Sequence, residues 1–352
     1  MQKNREQATF TKLCFFLFFC IFSLTGSCQN NTESNISLSE VLEIQPNLIQ
    51  NNALEVPAKE SLAFTEFAEK MAQEIAQKMG VRPIYNLAIV AIFQNDSAYL
   101  KEWIEYHKLV GIEHFYLFNN LSSDGYLSVL KPYMLNGDVD LIAWPYQTDS
   151  EGKNWSSIQR AAYLTAVKLL SGSVKWLAII DTDEFIVPVE SDDLAAVLSE
   201  YEEFGGVTAN WQMFGTSNIK EIPSDMLLTE TLLMKAPQNF PENLHVKSIV
   251  RPERVLMCHV HHSVFQPGYF AVDTNKNEMA KARSSIVLVD KIRINHYWSR
   301  DEEFFYKTKI PRRKKWQEEE RHMFERVNNC NQEIDTSMLR FAPRLRERME
   351  FN

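Results

Sequence analysis

The strongest constraint on the fold is a short, continuous apolar run at Leu87–Phe93, which has counterparts further along the chain. Uninterrupted apolar runs of this length are typical of strands that are buried on both faces of a sheet. Further predicted strands are His114–Phe118, Val139–Trp144 and Lys175–Ile180, and predicted helices lie between Asp96 and Gly111 and at Ser156–Leu170. The alternation predicts an α/β fold with a mainly parallel sheet and helices on both faces.

Polar side chains follow several of these predicted strands. They are Asn95, Asp96, Asn119, Asn120 and Asp181. In open α/β sheets, ligands bind beyond the carboxyl ends of the strands, because the loops that carry polar groups converge there. The pattern therefore predicts one ligand site at this edge of the sheet.

The segment WLAIIDTDEF places three acids directly after a predicted buried strand. Alternation directs Asp181 and Asp183 to the same side, and two adjacent carboxylates repel each other unless a cation lies between them. Mg²⁺ or Mn²⁺ suits such oxygen ligands and leaves coordination positions open for phosphate oxygens. The alternative is a loop that is merely acidic.

A second enzyme class also has an aspartate pair after an apolar strand. In phosphatases of the haloacid-dehalogenase type, the first aspartate is the nucleophile and the second follows two residues later. That pattern normally lies on the first strand and continues with Thr or Val, whereas Asp181 follows about the fourth predicted strand and the segment continues with Glu184. The position favours a metal-binding pair over a phosphatase nucleophile.

Histidines are concentrated in the second half of the chain. His296 follows an apolar run and is a candidate metal ligand or phosphate contact, with a structural role as the alternative. His259, His261 and His262 lie beside Cys258. One thiol and no CxxC spacing give little support for zinc, so donor or acceptor binding and purely structural roles remain open for this cluster.

Charge limits the partners of this chain. The formal net charge is -9, whereas proteins that bind nucleic acid usually carry a basic excess. The basic run from Arg312 to Lys315 is followed by Glu318, Glu319 and Glu320. We interpret it as a solvated helix face, with contact to an anionic surface as the alternative, and we expect no nucleic-acid partner.

Residues 1–27 have the features of a secretory signal or signal anchor. Basic residues precede an apolar run, Leu13–Leu24, of about 12 residues, short of the roughly 20 that span a bilayer. Cleavage before Cys28 with lipid attachment, an uncleaved anchor and a soluble cleaved product all remain open. The first two place the body outside the cytoplasm, tethered to a membrane. The composition of residues 28–80 predicts a flexible stem, and the spacing of its last apolar residues predicts a helix over Ser61–Met79.

Five segments together resemble glycosyltransferase family 92. They are NDSAYLKEWIEYHKLVGIEHFYLFNNLSSDG, KWLAIIDTDEFIVP, NWQMFGTS, KSIVRPERV and INHYWSRDEEFFYKTK, and they follow the family's order. The chain departs from the family at Gln94-Asn95-Asp96, where Lys-Asn-Glu is more frequent. The resemblance implies a GT-A, Rossmann-like domain at residues 81–310, and we expect a helical C-terminal tail at 311–352.

The resemblance also implies a reaction. It is the transfer of a hexose, with galactose the leading choice, from a UDP-sugar to a hydroxyl of a glycan acceptor, with inversion and with a divalent metal such as manganese. The alternative is a protein on the same fold that binds a nucleotide sugar or glycan without catalysis. Such a protein would be expected to have a broken acidic pair, whereas both aspartates are present.

Roles for individual residues follow from the same resemblance. Asp181 and Asp183 match the DxD motif, and His296 matches a histidine that completes the metal site. The nucleoside is expected at Asn95, Asp96, Asn119 and Asp124, and the cations Lys247 and Arg251 are expected to face the diphosphate.

Inversion also needs a base for the proton of the acceptor. The candidates are Glu184 and Asp225, with Asp149 and Glu151 in the same class of loop acids. Trp211, Phe214 and Gly215 form a candidate acceptor platform, for which packing in the core is the alternative.

Overall fold

The computed structural model describes residues 62–80, 84–148 and 154–350. The predicted signal segment, most of the predicted stem, and the loop acids Asp149 and Glu151 lie outside these ranges. Within the described ranges, no helix has both the length and the apolar character that a membrane crossing requires.

The first half of the described chain alternates between helices and strands. It contains α1 (Leu62–Met79), β1 (Tyr85–Phe93), α2 (Ser97–Leu109), β2 (His114–Asn119), α3 (Tyr126–Asn136), β3 (Val139–Ala143), α4 (Trp155–Leu170) and β4 (Val174–Ile179). The predicted strands and helices of this region are confirmed within a few residues. Helix α3 was not predicted, and its interior Pro132 explains why, since proline is a poor helix-interior residue.

The second half is richer in short strands. It contains β5 (Glu184–Pro188), α5 (Leu194–Leu198), β6 (Gly206–Met213), α6 (Leu228–Thr231), β7 (Met234–Lys235), β8 (Val246–Val250), β9 (Val255–Cys258), β10 (Ser263–Phe265), β11 (Ala271–Val272), β12 (Glu278–Met279) and β13 (Ile292–His296). After β13 come α7 (Glu302–Phe304), a π-helical turn at Phe305–Lys309, α8 (Ile310–Lys315), α9 (Glu320–Cys330), β14 (Glu333–Ile334) and α10 (Ala342–Met349).

Ten strands of the described chain form one sheet in the order β12-β11-β6-β8-β4-β1-β2-β3, with β13 beside β6 and β5 beside β13. The strands β3, β2, β1 and β4 are parallel to their neighbours. Strand β8 is antiparallel to both β4 and β6. In the second half, β6 is parallel to β11 and β13, whereas β12 and β5 are antiparallel to their neighbours. The sheet is therefore mixed, with parallel pairs throughout and antiparallel pairs confined to its second half. Parallel neighbours need a crossover helix, whereas β6 and β8 are joined by loops and the short α6.

The core has one apolar layer on each face of the sheet. Alternate residues of β1 divide between them, so that Leu87 and Ile89 face one layer while Ala88 and Val90 face the other. Helix α2 packs in the first layer, and α1 and α4 pack together in the second. The neighbouring strands β1 and β4 thus end between two covered faces of the sheet.

Helix α1 belongs to this core. Phe64, Ala68, Met71 and Ile75 are fully buried on one side of it. Burial of a large apolar side chain stabilises the fold by roughly 1.5–3 kcal/mol. The helix that we expected at the end of the stem is therefore packed against α4.

The segment after residue 311, which we expected to be a helical tail, contains three helices and a strand. Strand β14 pairs with β7. Met323 and Cys330 are buried in a cluster with Met213, and Leu345 is buried in the layer beside α2. The segment is thus packed against the sheet at several points.

Candidate active site

Two loops that follow neighbouring parallel strands meet at the carboxyl edge of the sheet. The loop after β1 contains Asp96, and the loop after β4 contains Thr182. The Thr182 hydroxyl donates a 2.7 Å hydrogen bond to Asp96 Oδ2. The guanidinium of Arg300 donates one of 2.7 Å to Asp96 Oδ1. The buried Asp96 carboxylate therefore connects the β1 loop to the acidic loop and to the segment after β13.

Asp181 begins the acidic loop and already has protein partners on both oxygens. Gln159 Nε2 and the Tyr163 hydroxyl each donate a 2.7 Å hydrogen bond to Oδ1. The ammonium of Lys247 lies 2.9 Å from Oδ2. Burial would raise the pKa of Asp181, but the charge of Lys247 outweighs it and the pKa is lowered. Asp181 is thus an ionised carboxylate that this chain itself neutralises.

Asp183 faces different partners. Lys309 Nζ lies 3.0 Å from its Oδ2, and His296 Nε2 lies 3.4 Å from its Oδ1. Burial opposes ionisation, yet Lys309 and His296 hold the pKa of Asp183 well below its ordinary range. Burial lowers the pKa of His296, and its Nδ1 is buried without a hydrogen-bond partner in the described structure. One carboxylate and one imidazole therefore lie side by side.

Glu184, a predicted candidate for the base, is fully buried in β5. Its Oε2 accepts a 2.8 Å hydrogen bond from the backbone N–H of Asp181 and lies 3.3 Å from Lys247 Nζ. Desolvation raises the pKa of Glu184 to about 8. The side chain lines neither of the cavities beside Asp181. This placement fits the positioning of Asp181 and Lys247 rather than contact with a substrate.

A cavity of about 140 Å³ opens between these loops, and we name it the cationic cavity. The charged residues of its wall are Asp96, Asp181, Asp183, Arg300, Lys309 and Arg312, and His296 lies among them. Fixed cations in a partly enclosed site favour phosphate oxygens, since they need little reorganisation to meet the charge. Three cations balance three carboxylates in this wall, so the cationic cavity suits a diphosphate that is accompanied by a divalent metal ion.

The donor set around Asp183 also fits a divalent cation. Imidazole and carboxylate suit Mn²⁺, and such ions often take only one or two protein carboxylates and leave the rest to water and substrate phosphates. Within the described ranges, no three or more His, Cys, Asp or Glu side chains are arranged to enclose a metal. Because both oxygens of Asp181 have partners, the fit depends on Asp183 and His296.

A second cavity, of about 370 Å³, lies on the other side of Asp181. We name it the tryptophan-lined cavity, because Trp155, Trp211 and Trp316 are in its wall. Trp155, Gln159 and Asp181 line both cavities. Both cavities therefore border the Asp181 side chain.

Most residues that were expected at the nucleoside stabilise loops instead. Asn95 Oδ1 accepts a 2.8 Å hydrogen bond from the backbone N–H of Ser123, and Asn119 Oδ1 accepts one within the same loop. Asn95 and Asp124 line a separate cavity of about 520 Å³ beside α2. Of the four expected residues, Asp96 alone lines the cationic cavity.

The two cations that were expected at the diphosphate lie at opposite ends of β8. Lys247 contacts Asp181, whereas Arg251 lies 3.0 Å from Glu253 and packs over Trp176 near the start of β4. Because β8 is antiparallel to β4, each residue after Lys247 moves about 3.4 Å away from the carboxyl edge. Arg251 therefore lies away from the carboxyl edge at which Lys247 contacts Asp181.

The predicted acceptor platform is only partly present. Trp211 lines the tryptophan-lined cavity. Phe214 is buried in the core, with its ring 4.6 Å from that of Tyr297. A Cβ at Gly215 would lie 2.1 Å from the side chain of Asn331, so this glycine permits a close approach of two segments. Phe214 and Gly215 are packing residues, and the core alternative is the correct one for Phe214.

Asp225, the second candidate for the base, is exposed in the loop before α6. It lines neither the cationic cavity nor the tryptophan-lined cavity. A base must come within hydrogen-bond reach of the proton that it removes. The described structure therefore gives Asp225 no contact with the site.

Sequence reasoning missed several side chains that build the site. Gln159 and Tyr163 are four residues apart on α4 and reach Asp181 together, a helical spacing that could have indicated them. Arg300 and Lys309 follow His296 in loop and π-helical backbone. No regular periodicity marks those two residues, so only the fold reveals them.

Comparison with known proteins gives a family match over most of the chain. The sequence model of glycosyltransferase family 92 matches residues 88–339. A glycosyltransferase family 92 protein of Ricinus communis is 26% identical over 254 residues, which is 68% of this chain and 41% of that protein. A beta-1,4-galactosyltransferase of Caenorhabditis elegans, galt-1, is 28% identical over 194 residues, which is 53% of this chain and 44% of that protein. The chain spans about two fifths of the length of these curated relatives.

Solved structures show a weaker likeness. Residues 1–349 of Staphylococcus aureus TarS align with a TM-score of 0.30 and 16% identity over 47% of each chain. A glucosyl-3-phosphoglycerate synthase from Mycobacterium tuberculosis aligns with a TM-score of 0.27 and 12% identity, over 56% of this chain and 63% of that one. No role for a residue of this chain follows from similarity at this level.

Proposed function

The chain belongs to glycosyltransferase family 92, and we propose that it transfers a hexose from a UDP-sugar to a hydroxyl group of a glycan. One observation carries the proposal. Asp183, His296 and Lys309 converge in a cation-lined cavity at the carboxyl edge of the sheet. That combination of a carboxylate, an imidazole and an ammonium suits a metal–diphosphate leaving group.

Galactose is the proposed donor sugar. Its support is the resemblance of the five sequence segments to the family and the similarity to a relative that is named a beta-1,4-galactosyltransferase. Discrimination between hexoses depends on a few pocket contacts. A donor panel is therefore part of the test.

We propose that Asp183 and His296 bind a divalent metal, with Asp181 acting through the hydrogen bonds that shape the loop. When bound, such an ion neutralises charge on the departing diphosphate and so stabilises the leaving group. The side chains of Lys309, Arg300 and Arg312 provide further positive charge in the same cavity.

Inversion is proposed to follow from the two-cavity arrangement. The cationic cavity orients the diphosphate, and the tryptophan-lined cavity admits the acceptor from the other side of the shared wall. A single in-line displacement needs the acceptor hydroxyl in contact with the donor sugar. Holding the two substrates in that geometry contributes strongly to the rate.

We also propose a membrane tether through the N-terminus, with the catalytic part outside the cytoplasm. The support is the basic and apolar pattern of residues 3–24. Detection of lipid on Cys28, or recovery of the full chain in the membrane fraction, would test it. A chain found entirely in the soluble cytoplasmic fraction would contradict it.

UDP release from a panel of UDP-sugars tests the reaction, because glycosyltransferases can pass the sugar slowly to water. The purified full chain is assayed with and without Mn²⁺, beside Asp183→Asn and the exposed-residue control Asp290→Asn. We expect metal-dependent release from UDP-galactose that Asp183→Asn loses and Asp290→Asn retains. Absence of release from every donor, together with absence of UDP binding by calorimetry, would sink the proposal.

A further inference from the structure

The tryptophan-lined cavity has the chemistry of a carbohydrate site. Trp155 and Trp316 are stacked with ring centroids 6.3 Å apart, and both are partly exposed. The flat faces of indole rings pack against the apolar faces of pyranose rings. This stacking buries the C–H groups of the sugar, while the sugar hydroxyls at the ring edge keep their hydrogen bonds. Three indoles around one opening, with Arg160 and Arg313 in the same wall, therefore suit a sugar, which offers both apolar C–H faces and oxygen atoms.

Trp211 adds a polar group without a partner. Its indole Nε1 is buried and has no hydrogen-bond partner in the described structure. A buried donor that lacks an acceptor costs about 1–3 kcal/mol. The ring of Trp211 lines the same cavity and adds a third indole to its wall.

Few groups in this cavity could accept a proton. Among the described residues of its wall, Asp181 is the only carboxylate. Its oxygens already accept hydrogen bonds from Gln159, Tyr163 and Lys247. The remaining bases of the wall are the imidazoles of His259, His261 and His262.

His261 has a defined tautomer. Its Nδ1 lies 3.1 Å from the backbone oxygen of Val246. A carbonyl oxygen only accepts, so Nδ1 carries the hydrogen and Nε2 carries the lone pair. Burial, followed by the charge of Lys247, lowers the pKa of His261 to about 3. The ring is therefore neutral at physiological pH.

The occupied cationic cavity changes this electrostatic setting. A diphosphate brings negative charge close to Asp181, and nearby negative charge raises the proton affinity of an imidazole. His261 therefore becomes a better base when the donor is bound. When the donor is absent, the pKa of His261 stays low and its ring takes up little proton.

We propose that the tryptophan-lined cavity binds the acceptor as a pyranose ring stacked on the indoles, and that His261 Nε2 accepts the proton of its attacking hydroxyl. The proposal rests on the proposed glycosyltransferase function and names the acceptor site and the base within it. It replaces Glu184 and Asp225 as candidates for the base.

The step balances as a single displacement. The acceptor oxygen forms a bond to the anomeric carbon of the donor sugar, and the bond between that carbon and the diphosphate oxygen breaks. The electron pair of the broken bond leaves with UDP. The hydroxyl proton moves to Nε2 of His261, which returns it to solvent after the product leaves.

Base function is tested by UDP release to water from the full chain, because water in the cavity also needs a base. We compare His261→Gln with His322→Gln, which changes an exposed histidine on α9. General-base catalysis contributes about 100-fold or more. We expect a loss of that size in His261→Gln with unchanged UDP affinity by calorimetry, and no loss in His322→Gln. Wild-type release by a folded, UDP-binding His261→Gln would overturn the assignment of the base.

Sugar binding is tested with D-galactose, D-glucose, N-acetyl-D-glucosamine and L-fucose as probes. A bound sugar either raises UDP release above the rate in water or inhibits it. We expect at least one probe to change UDP release, and we expect Trp316→Ala to increase the required sugar concentration by about tenfold, each measured relative to that variant's own release to water. The control is Phe324→Ala, an aromatic residue of α9 outside the cavity.

The outcomes separate this inference from the proposed function. Absence of UDP release from every donor and of UDP binding contradicts the proposed function itself. The acceptor site is overturned if no sugar probe changes UDP release, or if a probe acts at the same concentration on Trp316→Ala and on the wild type. Either result leaves the donor reaction standing.

Discussion

Lys309 Nζ lies 3.0 Å from Asp183 Oδ2, and this pair joins the acidic loop to the π-helical turn after β13. The Lys309 side chain is buried and the Asp183 side chain is partly buried. Burial lowers the pKa of Lys309 to about 8, although Asp183 opposes this change. The ammonium is thus still largely protonated at neutral pH and faces the cationic cavity, where a diphosphate would compete with Asp183 for it.

Replacement of Lys309 should weaken the binding of UDP. Loss of a hydrogen bond to a charged group costs roughly 1.5–3 kcal/mol, so Lys309→Ala should reduce UDP affinity by roughly 10- to 150-fold. Calorimetric titration with UDP in the presence of Mn²⁺ measures this. Lys307→Ala, an exposed lysine on the same turn, is the control. Equal affinities in both variants would contradict a role for Lys309 at the diphosphate.

Removal of the metal should abolish UDP release, and Mn²⁺ should restore it. If Asp183 and His296 are the ligands, Asp183→Asn and His296→Ala should each raise the Mn²⁺ concentration for half-maximal rate by more than about tenfold, or 1.4 kcal/mol. A titration of UDP release against Mn²⁺ after chelation gives the values. Full release in the presence of excess chelator would contradict the metal proposal.

Glu184 should make stability depend on pH. Its folded pKa of about 8 lies above the ordinary value of 4.5, so the folded state retains a proton that the unfolded state loses. The stabilising contribution is full below pH 4.5 and is lost as pH rises through 8. Relative to Glu184→Gln, the wild type should lose up to about 1.4 kcal/mol per pH unit in this window.

Urea unfolding of both chains at several pH values measures that difference. The exposed Glu203→Gln is the matched control and should follow the wild type. Parallel pH curves for the wild type and Glu184→Gln would show that Glu184 is ionised in the folded protein.

Phe214 should affect stability rather than acceptor specificity. Truncation of a buried phenylalanine costs about 3–5 kcal/mol because a cavity remains. We expect Phe214→Ala to lower the free energy of unfolding by this amount, whereas the more exposed Phe324→Ala changes it far less. A stable Phe214→Ala variant with altered sugar selectivity would restore Phe214 to the acceptor platform.

The regular part of the fold could be predicted because local sequence carries it. The apolar run of β1 and the helical pattern of α4 depend on residues within one element, and their boundaries agree with the structure. The polar ends of β1 and β4 could be placed together for the same reason, since neighbouring parallel strands end at one edge. Thr182 and Asp96 confirm that placement.

Strand direction in the second half could not be predicted in this way. Side chains alternate along β8 in the same way whichever direction the strand runs. The sequence analysis therefore expected Lys247 and Arg251 at one site. Pairing with β4 and β6 decided that β8 is antiparallel. That decision moved Arg251 away from the carboxyl edge.

The sequence by itself determined the family, the α/β alternation and the position of the acidic pair after a buried strand, because each depends on short contiguous motifs. Only the tertiary structure decided which side chains surround that pair. Gln159, Lys247 and Lys309 come from three distant elements. Their convergence depends on the packing of the whole sheet, and hydrogen bonds and charge act over a few ångströms of space rather than along the chain.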